Sequence, residues 1–405
     1  MTDLLFLAHR IPYPPDKGEK IRSFNILRHL ARTHRIHLGC LMAEPDEPPH
    51  LETLKTWCAT VFGVPMNRRT QTVKALAGLR PGRPLMLDYY RNPALHRWVA
   101  AMRAAHPIAI DLVSTVAMMP YADVDPAPVT ILDAIDIDSE KWAAYATTAT
   151  FPMRHVWARE ARTLLVHERR AALRADATLF VSPAETARFA LLAPEAAPRL
   201  HAIENGVDLD RFSPAHNFVS PYSGPGADPG PNLVFTGHMD YWPNADAATW
   251  FATEVLPGLH AHHPTLRFHI VGANPGPAVR ALAARPGVVV TGRVPDVRPY
   301  IEHAEASVAP LRIARGIQNK VLEAMAMARP VVASSQAFEG VRATPGHDLL
   351  VADGPAATIE AVLAILAGRH PGLGAAARHA MQSGYAWDST LAPLDDILAA
   401  LRPKL

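Results

Sequence analysis

Ser307-Val308-Ala309-Pro310-Leu311-Arg312-Ile313-Ala314-Arg315-Gly316-Ile317-Gln318-Asn319-Lys320-Val321-Leu322-Glu323-Ala324-Met325-Ala326, then Arg329-Pro330-Val331-Val332-Ala333-Ser334, reads as strand, glycine loop, helix and strand. The strand Ser307–Ala309 and the strand Val331–Ala333 flank a helix expected over Lys320–Ala328. Working outward, the same alternation continues. Strands are expected at Leu233–Phe235, Phe268–Val271, Val288–Val290 and Leu349–Val351. Helices are expected at Ala245–Leu256, Ala278–Ala284, Val297–His303 and Ala356–Leu366. Strand and helix in strict turn predict a doubly wound α/β domain with a parallel sheet.

The first half repeats the scheme. Leu4–Ala8 is strand-sized, a Pro- and Gly-rich loop runs from Arg10 to Glu19, and Ile21, Phe24, Ile26, Leu27 and Leu30 lie near helical spacing. Further strands are expected at Arg35–Met42, Val61–Val64, Ile108–Val113, Val129–Leu132 and Thr178–Val181. Ser213–Pro231 has linker composition. The expected organisation is a first domain over residues 1–200, a hinge and linker over 201–231, a second domain over 232–385, and a C-terminal helix over 386–405 that returns to the first domain. Two such domains would face each other across a central cleft, where this architecture binds ligands.

Bulk properties narrow the class. A chain of 405 residues exceeds one ordinary core and suits two. A net charge of +2 gives no ground for a nucleic-acid partner. Cys40 and Cys58 form no C-x-x-C pair, so neither a disulfide scaffold nor a zinc site is expected, and a reducing, cytoplasmic location follows. The N-terminus lacks a signal-peptide pattern, and no run of about 18 apolar residues offers a membrane span.

The chemistry concentrates in the quoted stretch. Gly316 lets backbone amides approach a ligand. The N-terminus of the following helix, with Asn319 in its first turn, offers N–H groups and partial positive charge to a diphosphate. Lys320 adds a point charge, and Glu323, one turn on, can accept hydrogen bonds from ribose hydroxyls. An ordinary amphipathic helix with an acid in its first turn would look the same locally.

Lys320-Val-Leu-Glu323-Ala-Met-Ala with Arg329-Pro330-Val331-Val332-Ala333-Ser334 resembles the donor-site helix and next strand of retaining GT-B glycosyltransferases, the glycosyl transferases group 1 or family 4-like group. Asn205-Gly206-Val207-Asp208 with Phe212 resembles that family's hinge motif. Gly237-His238-Met239-Asp240, Ile270-Val271-Gly272 and Val290-Thr291-Gly292-Arg293-Val294 match its strand–turns. The overall pattern is most similar to the exosortase (PEP-CTERM) and exopolysaccharide-associated subgroup. The resemblance implies a GT-B fold of two Rossmann-like domains and hexosyl transfer from a nucleotide-sugar to a glycan or lipid-linked acceptor, with retention and no further cofactor. It also implies a donor site of Lys320, Glu323, Gly316, Asn319, Asn244, His238, Arg293 and Arg315. Departures are specific. Arg315 stands where the family commonly has a sugar-contacting Glu, His238 stands for its Arg, and Asn244 lies near its Lys. Lys320 is therefore expected to carry more of the diphosphate charge, helped by Arg312 or Arg315. Two rivals share the fold: a nucleotide-sugar epimerase, and a degenerate nucleotide-sugar binder. A dinucleotide oxidoreductase lacks its glycine fingerprint here.

Four further features remain. Asp16-Lys17-Gly18 is either an acceptor or phosphate loop or a solvated turn. Asp136 and Asp138 read three ways: a metal pair, a strand end with Asp138 or Ser139 capping a helix, or, as preferred, a polar cluster facing the acceptor. No metal is expected there. His9 ends the first strand toward the same region, and Tyr89 and Tyr90 are candidates for an acceptor-side lid. The Arg-rich stretch Arg154–Arg174 either touches anionic lipid on the inner membrane face or is a solvated helix.

Overall fold

The computed structural model describes residues 1–78, 80–124, 128–223, 230–314 and 316–401. The chain divides into two compact units, Met1–Glu204 with the stretch from Leu391 onward, and Asn205–Thr390.

In the first unit, β1 (Thr2–Ala8), β2 (His34–Met42), β3 (Thr60–Pro65), β4 (Ile108–Ser114), β5 (Val129–Ile135), β6 (Ala177–Phe180) and β7 (Leu200–Ala202) form one sheet in the order β3-β2-β1-β4-β5-β6-β7. All its pairings are parallel. Central strands are covered on both faces, which explains why Leu4-Leu5-Phe6-Leu7 is a continuous apolar run. Helix α1 (Gly18–Leu30) follows β1; α2 (Asp138–Thr148), α3 (Met153–Arg174) and α4 (Pro183–Leu192) follow the later strands. Arg22 of α1 is fully buried and donates to Asp133 at the end of β5 (2.8 and 3.0 Å) and to the Ile203 carbonyl (2.6 Å).

In the second unit, β8 (Asn232–Thr236), β9 (Arg267–Val271), β10 (Val288–Gly292), β11 (Ala306–Ala309), β12 (Val331–Ala333) and β13 (Leu350–Val351) run parallel in the order β10-β9-β8-β11-β12-β13. Both sheets thus reverse direction beside their first strand, between β1 and β4 and between β8 and β11. These are the topological switch points at which such sheets leave a ligand crevice. Phe235, Phe251 and Phe268 anchor the second core, the last two with ring centroids 4.4 Å apart. The single helix expected over Ala245–Leu256 is three pieces: α5 (Trp242–Trp250), a π turn (Phe251–Val255) and a short helix (Leu256–His260).

Ser213–Pro231 is not a free spacer where it is described; residues 224–229 lie outside the described residues. Phe218 N–H donates to Glu302 at 2.9 Å, and the Tyr222 hydroxyl donates to the Tyr300 carbonyl at 2.7 Å. Its composition is that of a linker, but its aromatic residues dock it on the second unit. The last described helix, α7 (Trp387–Ala400), passes from one unit's stretch to the other's, and its Asp395 meets His29 of α1 at 2.9 Å.

Candidate functional site

The second unit builds a site at the C-terminal edge beside its switch point. Strand β8 leads into Gly237 and β9 into Gly272, and these two turns interlock. A Cβ on Gly272 would lie 1.7 Å from the Gly237 carbonyl oxygen, and φ there is +154°. Only glycine permits this approach. Beyond Gly237, Asn244 of α5 is buried, and its Nδ2 donates to the His238 carbonyl at 2.9 Å. That fixes its Oδ1 outward, where it accepts from Lys320 Nζ at 2.6 Å. The Lys320 ammonium also sits 5.0 Å from the Phe235 ring centroid.

Lys320 belongs to the first turn of α6 (Asn319–Ala326). The loop before it carries Gly316 at φ +63°, and the N-cap, Gln318, provides no side-chain cap. The helix therefore presents its positive dipole end with a lysine beside it. Asn319 accepts from buried Asn205 at 3.4 Å, which ties the hinge motif to this turn. Burial pulls the Lys320 amine down to about 8, against the attraction of Glu323. Burial pushes the Glu323 carboxyl up to about 7, opposed by Arg211 and Lys320. Perturbed groups of opposite charge, one turn apart at a switch point, are what makes this edge a candidate binding or catalytic site.

The structure thus brings together Lys320, Glu323, Asn319, Asn244, His238 and Gly316. Arg293 is exposed just past β10, two strands from β8. Arg315 lies outside the described residues. Arg312 is held by Asp246 at 2.9 Å, so its charge is committed to an ion pair. Arg211, which acts on Glu323, was missed by sequence reading; its only signal was its place beside the hinge motif.

In the first unit, polar groups also gather at the switch-point edge. Among the described residues, His9 Nδ1, Ser114 Oγ, Thr115 Oγ1 and Asp136 Oδ1 are buried atoms with no hydrogen-bond partner. Ser114 and Thr115 are 1% and 8% exposed, which makes their hydroxyls costly to leave unpaired. Thr115 and Ile135, at the ends of β4 and β5, both have φ of +71°. Two β-branched residues in this region store strain, as ligand sites do. Burial pulls His9 down to about 4, so its ring is neutral, and Tyr90 meets it edge-on at 5.7 Å.

In the Asp136–Asp138 region the capping alternative is excluded. Neither Asp138 nor Ser139 caps α2, whose N-cap is Ile137 with no side-chain cap. Instead Glu185 of α4 accepts from Ile137 N–H (3.0 Å), and Glu168 of α3 accepts from Ser139 N–H (2.9 Å). Burial, with Glu185 and Asp138 nearby, pushes Asp136 up to about 7. Burial also raises Asp138, and raises Glu168 to about 7. In the Asp16–Lys17–Gly18 loop the charges are matched. Lys17 lies 3.7 Å from Glu44, Asp16 lies 3.9 Å from Lys20, and Lys20 donates to Glu47 at 2.7 Å. Gly18 is exposed and opens α1. On α3, Arg159 donates to the Arg83 carbonyl (3.0 Å), and Arg169 and Arg174 pair with Glu195 and Asp123. Arg154, Arg162 and Arg170 are exposed. No helix among the described residues is long and apolar enough to cross a membrane.

Residues 230–368 match the family Glycosyl transferases group 1. No curated protein matches the chain in sequence. Solved structures share its fold along the whole length. Sucrose-phosphate synthase from Thermosynechococcus elongatus is 16% identical over 99% of each chain, with a TM-score of 0.70. Anabaena HepE in complex with UDP is 16% identical over 99% of this chain and 100% of that one, at 0.65. WaaG, a glycosyltransferase involved in lipopolysaccharide biosynthesis, is 16% identical over 97% and 98%, at 0.64. The stretch of the second unit that matches glycosyl transferases group 1 thus lies in a chain with the two-domain fold of GT-B glycosyltransferases.

Proposed function

We propose that the chain is a glycosyltransferase that moves a hexosyl group from a nucleoside-diphosphate sugar to a glycan or lipid-linked acceptor. The carrying observation is the Lys320–Asn244 contact at the N-terminus of α6, with Glu323 one turn on, inside the group 1 domain. Lys320 and the helix N-terminus hold the diphosphate, and Glu323 takes the ribose hydroxyls. A UDP-sugar is the first donor to test, because Anabaena HepE has been solved with UDP-glucose. The first unit supplies the acceptor side. Its unpartnered hydroxyl, imidazole and carboxylate atoms suit a hydroxyl-rich ligand, and the matched charges of the Asp16–Gly18 loop suit a neutral group better than a phosphate.

In the reaction, the acceptor oxygen bonds to the anomeric carbon as the bond from that carbon to the phosphate oxygen breaks. The acceptor proton passes to the departing phosphate oxygen, with retention of configuration. Lys320 and the helix dipole stabilise the negative charge that develops on the leaving diphosphate. No cofactor beyond the donor takes part. The role assigned is exopolysaccharide synthesis in the cytoplasm, with peripheral membrane contact through exposed Arg154 and neighbouring Phe151, which is 79% exposed.

The test is a thermal-shift panel of UDP, GDP, ADP and their sugars, followed by transfer assays on wild type and Lys320→Ala. Lys320→Ala should lose about 10²–10³-fold in turnover. Wild-type diphosphate affinity should fall as pH rises through about 8, where the amine loses its proton. Full transfer activity in the variant would sink the assignment, and nucleotide binding without turnover in wild type would indicate a binding protein instead.

A further inference from the structure

The opposite, N-terminal edge of the first sheet carries a cluster that the proposed transfer does not use. Asp3 of β1 pairs with Arg35 of β2 and with Ile108 of β4. Residues two apart share a face of a strand. Register therefore brings Asp3, His37 and His106 to one face across three adjacent strand starts. Their candidate ligand atoms lie within 4.8 Å of one another. Asp3 and His37 are buried, and His106 is half-buried, which leaves a path from solvent.

His37 sits between two polar groups. Its Nδ1 lies 2.9 Å from Thr60 Oγ1, which is itself 3.7 Å from Met102 Sδ. Its Nε2 lies 2.9 Å from Asp3 Oδ1. A second imidazole, His106, lies with its ring centroid 4.4 Å from that of His37. Arg35 grips both oxygens of Asp3, Nε on Oδ1 and NH2 on Oδ2 (2.7 Å), and its own side chain is 48% exposed. It competes with any cation for the carboxylate's charge.

We propose that Asp3, His37 and His106 form a binding site for a borderline divalent transition metal, Zn²⁺ first, that ties β1, β2 and the entry to β4 together. Two imidazoles and one carboxylate are a zinc-type ligand set with a fourth position open. The Thr60 hydroxyl is the outer group that fixes the orientation of His37.

The experiment uses the full chain without an affinity tag, stripped with chelator, and titrated with Zn²⁺ alone by calorimetry and thermal shift. Co²⁺ serves as a spectroscopic probe. Wild type should bind one ion at this site, rise in melting temperature and show the visible absorption of nitrogen- and oxygen-bound Co²⁺. His106→Ala should bind at least tenfold more weakly. Arg35→Ala keeps all three ligands and removes the competing charge, so it should bind more tightly. Equal Zn²⁺ responses in wild type and His106→Ala would overturn the proposal, as would weaker binding in Arg35→Ala or no response in wild type.

Discussion

Glu323→Gln isolates what the fold gives up to keep a carboxylate where the ribose is proposed to bind. Burial raises the Glu323 carboxyl from 4.5 to about 7, even with Arg211 and Lys320 nearby. At ~1.4 kcal/mol per unit, a gap of about 2.5 units gives an upper bound of ~3 kcal/mol. The side chain is half-buried, and solvent screening leaves about 1–2 kcal/mol of it. The folded-state value lies above the unfolded one. The penalty is therefore absent below pH 4.5, grows between 4.5 and about 7, and is complete above that. The neutral amide escapes it. Thermal unfolding without nucleotide should show the melting temperature of Glu323→Gln gaining on wild type by about 2–8 °C between pH 5 and pH 8, for a domain of this size. The same variant should gain less than wild type from added UDP. A difference that does not change with pH, or that moves the other way, would mean that the carboxylate is well solvated in the free protein, and the reading of Glu323 as a strained ligand group would be wrong.

Two further outcomes test the scaffold. Gly272→Ala should cost more than about 2 kcal/mol and abolish nucleotide-induced stabilisation, since its methyl group would meet the Gly237 carbonyl. Gly276→Ala, with nothing within 4 Å of the new carbon, should be close to neutral in the same melts. Arg22→Met should cost about 3–5 kcal/mol in urea unfolding because it strands the buried Asp133 carboxylate. Pairing it with Asp133→Leu should recover most of that loss, and a single variant losing under about 1 kcal/mol would show that the ion pair is not the brace it looks to be.

Much of this was legible in the sequence because the signals are local. Buried parallel strands leave apolar runs, so Leu233–Phe235 and Val331–Ala333 could be read directly. Lys320 and Glu323 stand one helical turn apart in a recognisable stretch, and Asn244 was named because it lies near the family's Lys position. Long-range pairings left no such trace. Nothing near Ile137 or Ser139 announces that Glu185 and Glu168, tens of residues downstream, will accept their amide protons. The unpaired state of Ser114 and Thr115 depends on how three strands end together, which no single segment encodes. The three-residue strand β7 was missed because it is too short to show alternation. The π turn at Phe251–Val255 was missed because its composition continues that of the helix before it.

The first unit is assembled from two separated stretches of chain, Met1–Glu204 and the segment from Leu391. Leu391 and Leu394 are fully buried, and Asp395 meets His29. During synthesis, one of its stretches is made before Asn205–Thr390 and the other after it. While the intervening Asn205–Thr390 is being made, the surface awaiting Leu391 and Leu394 stays open, and the nascent chain carries an apolar seam that invites wrong partners.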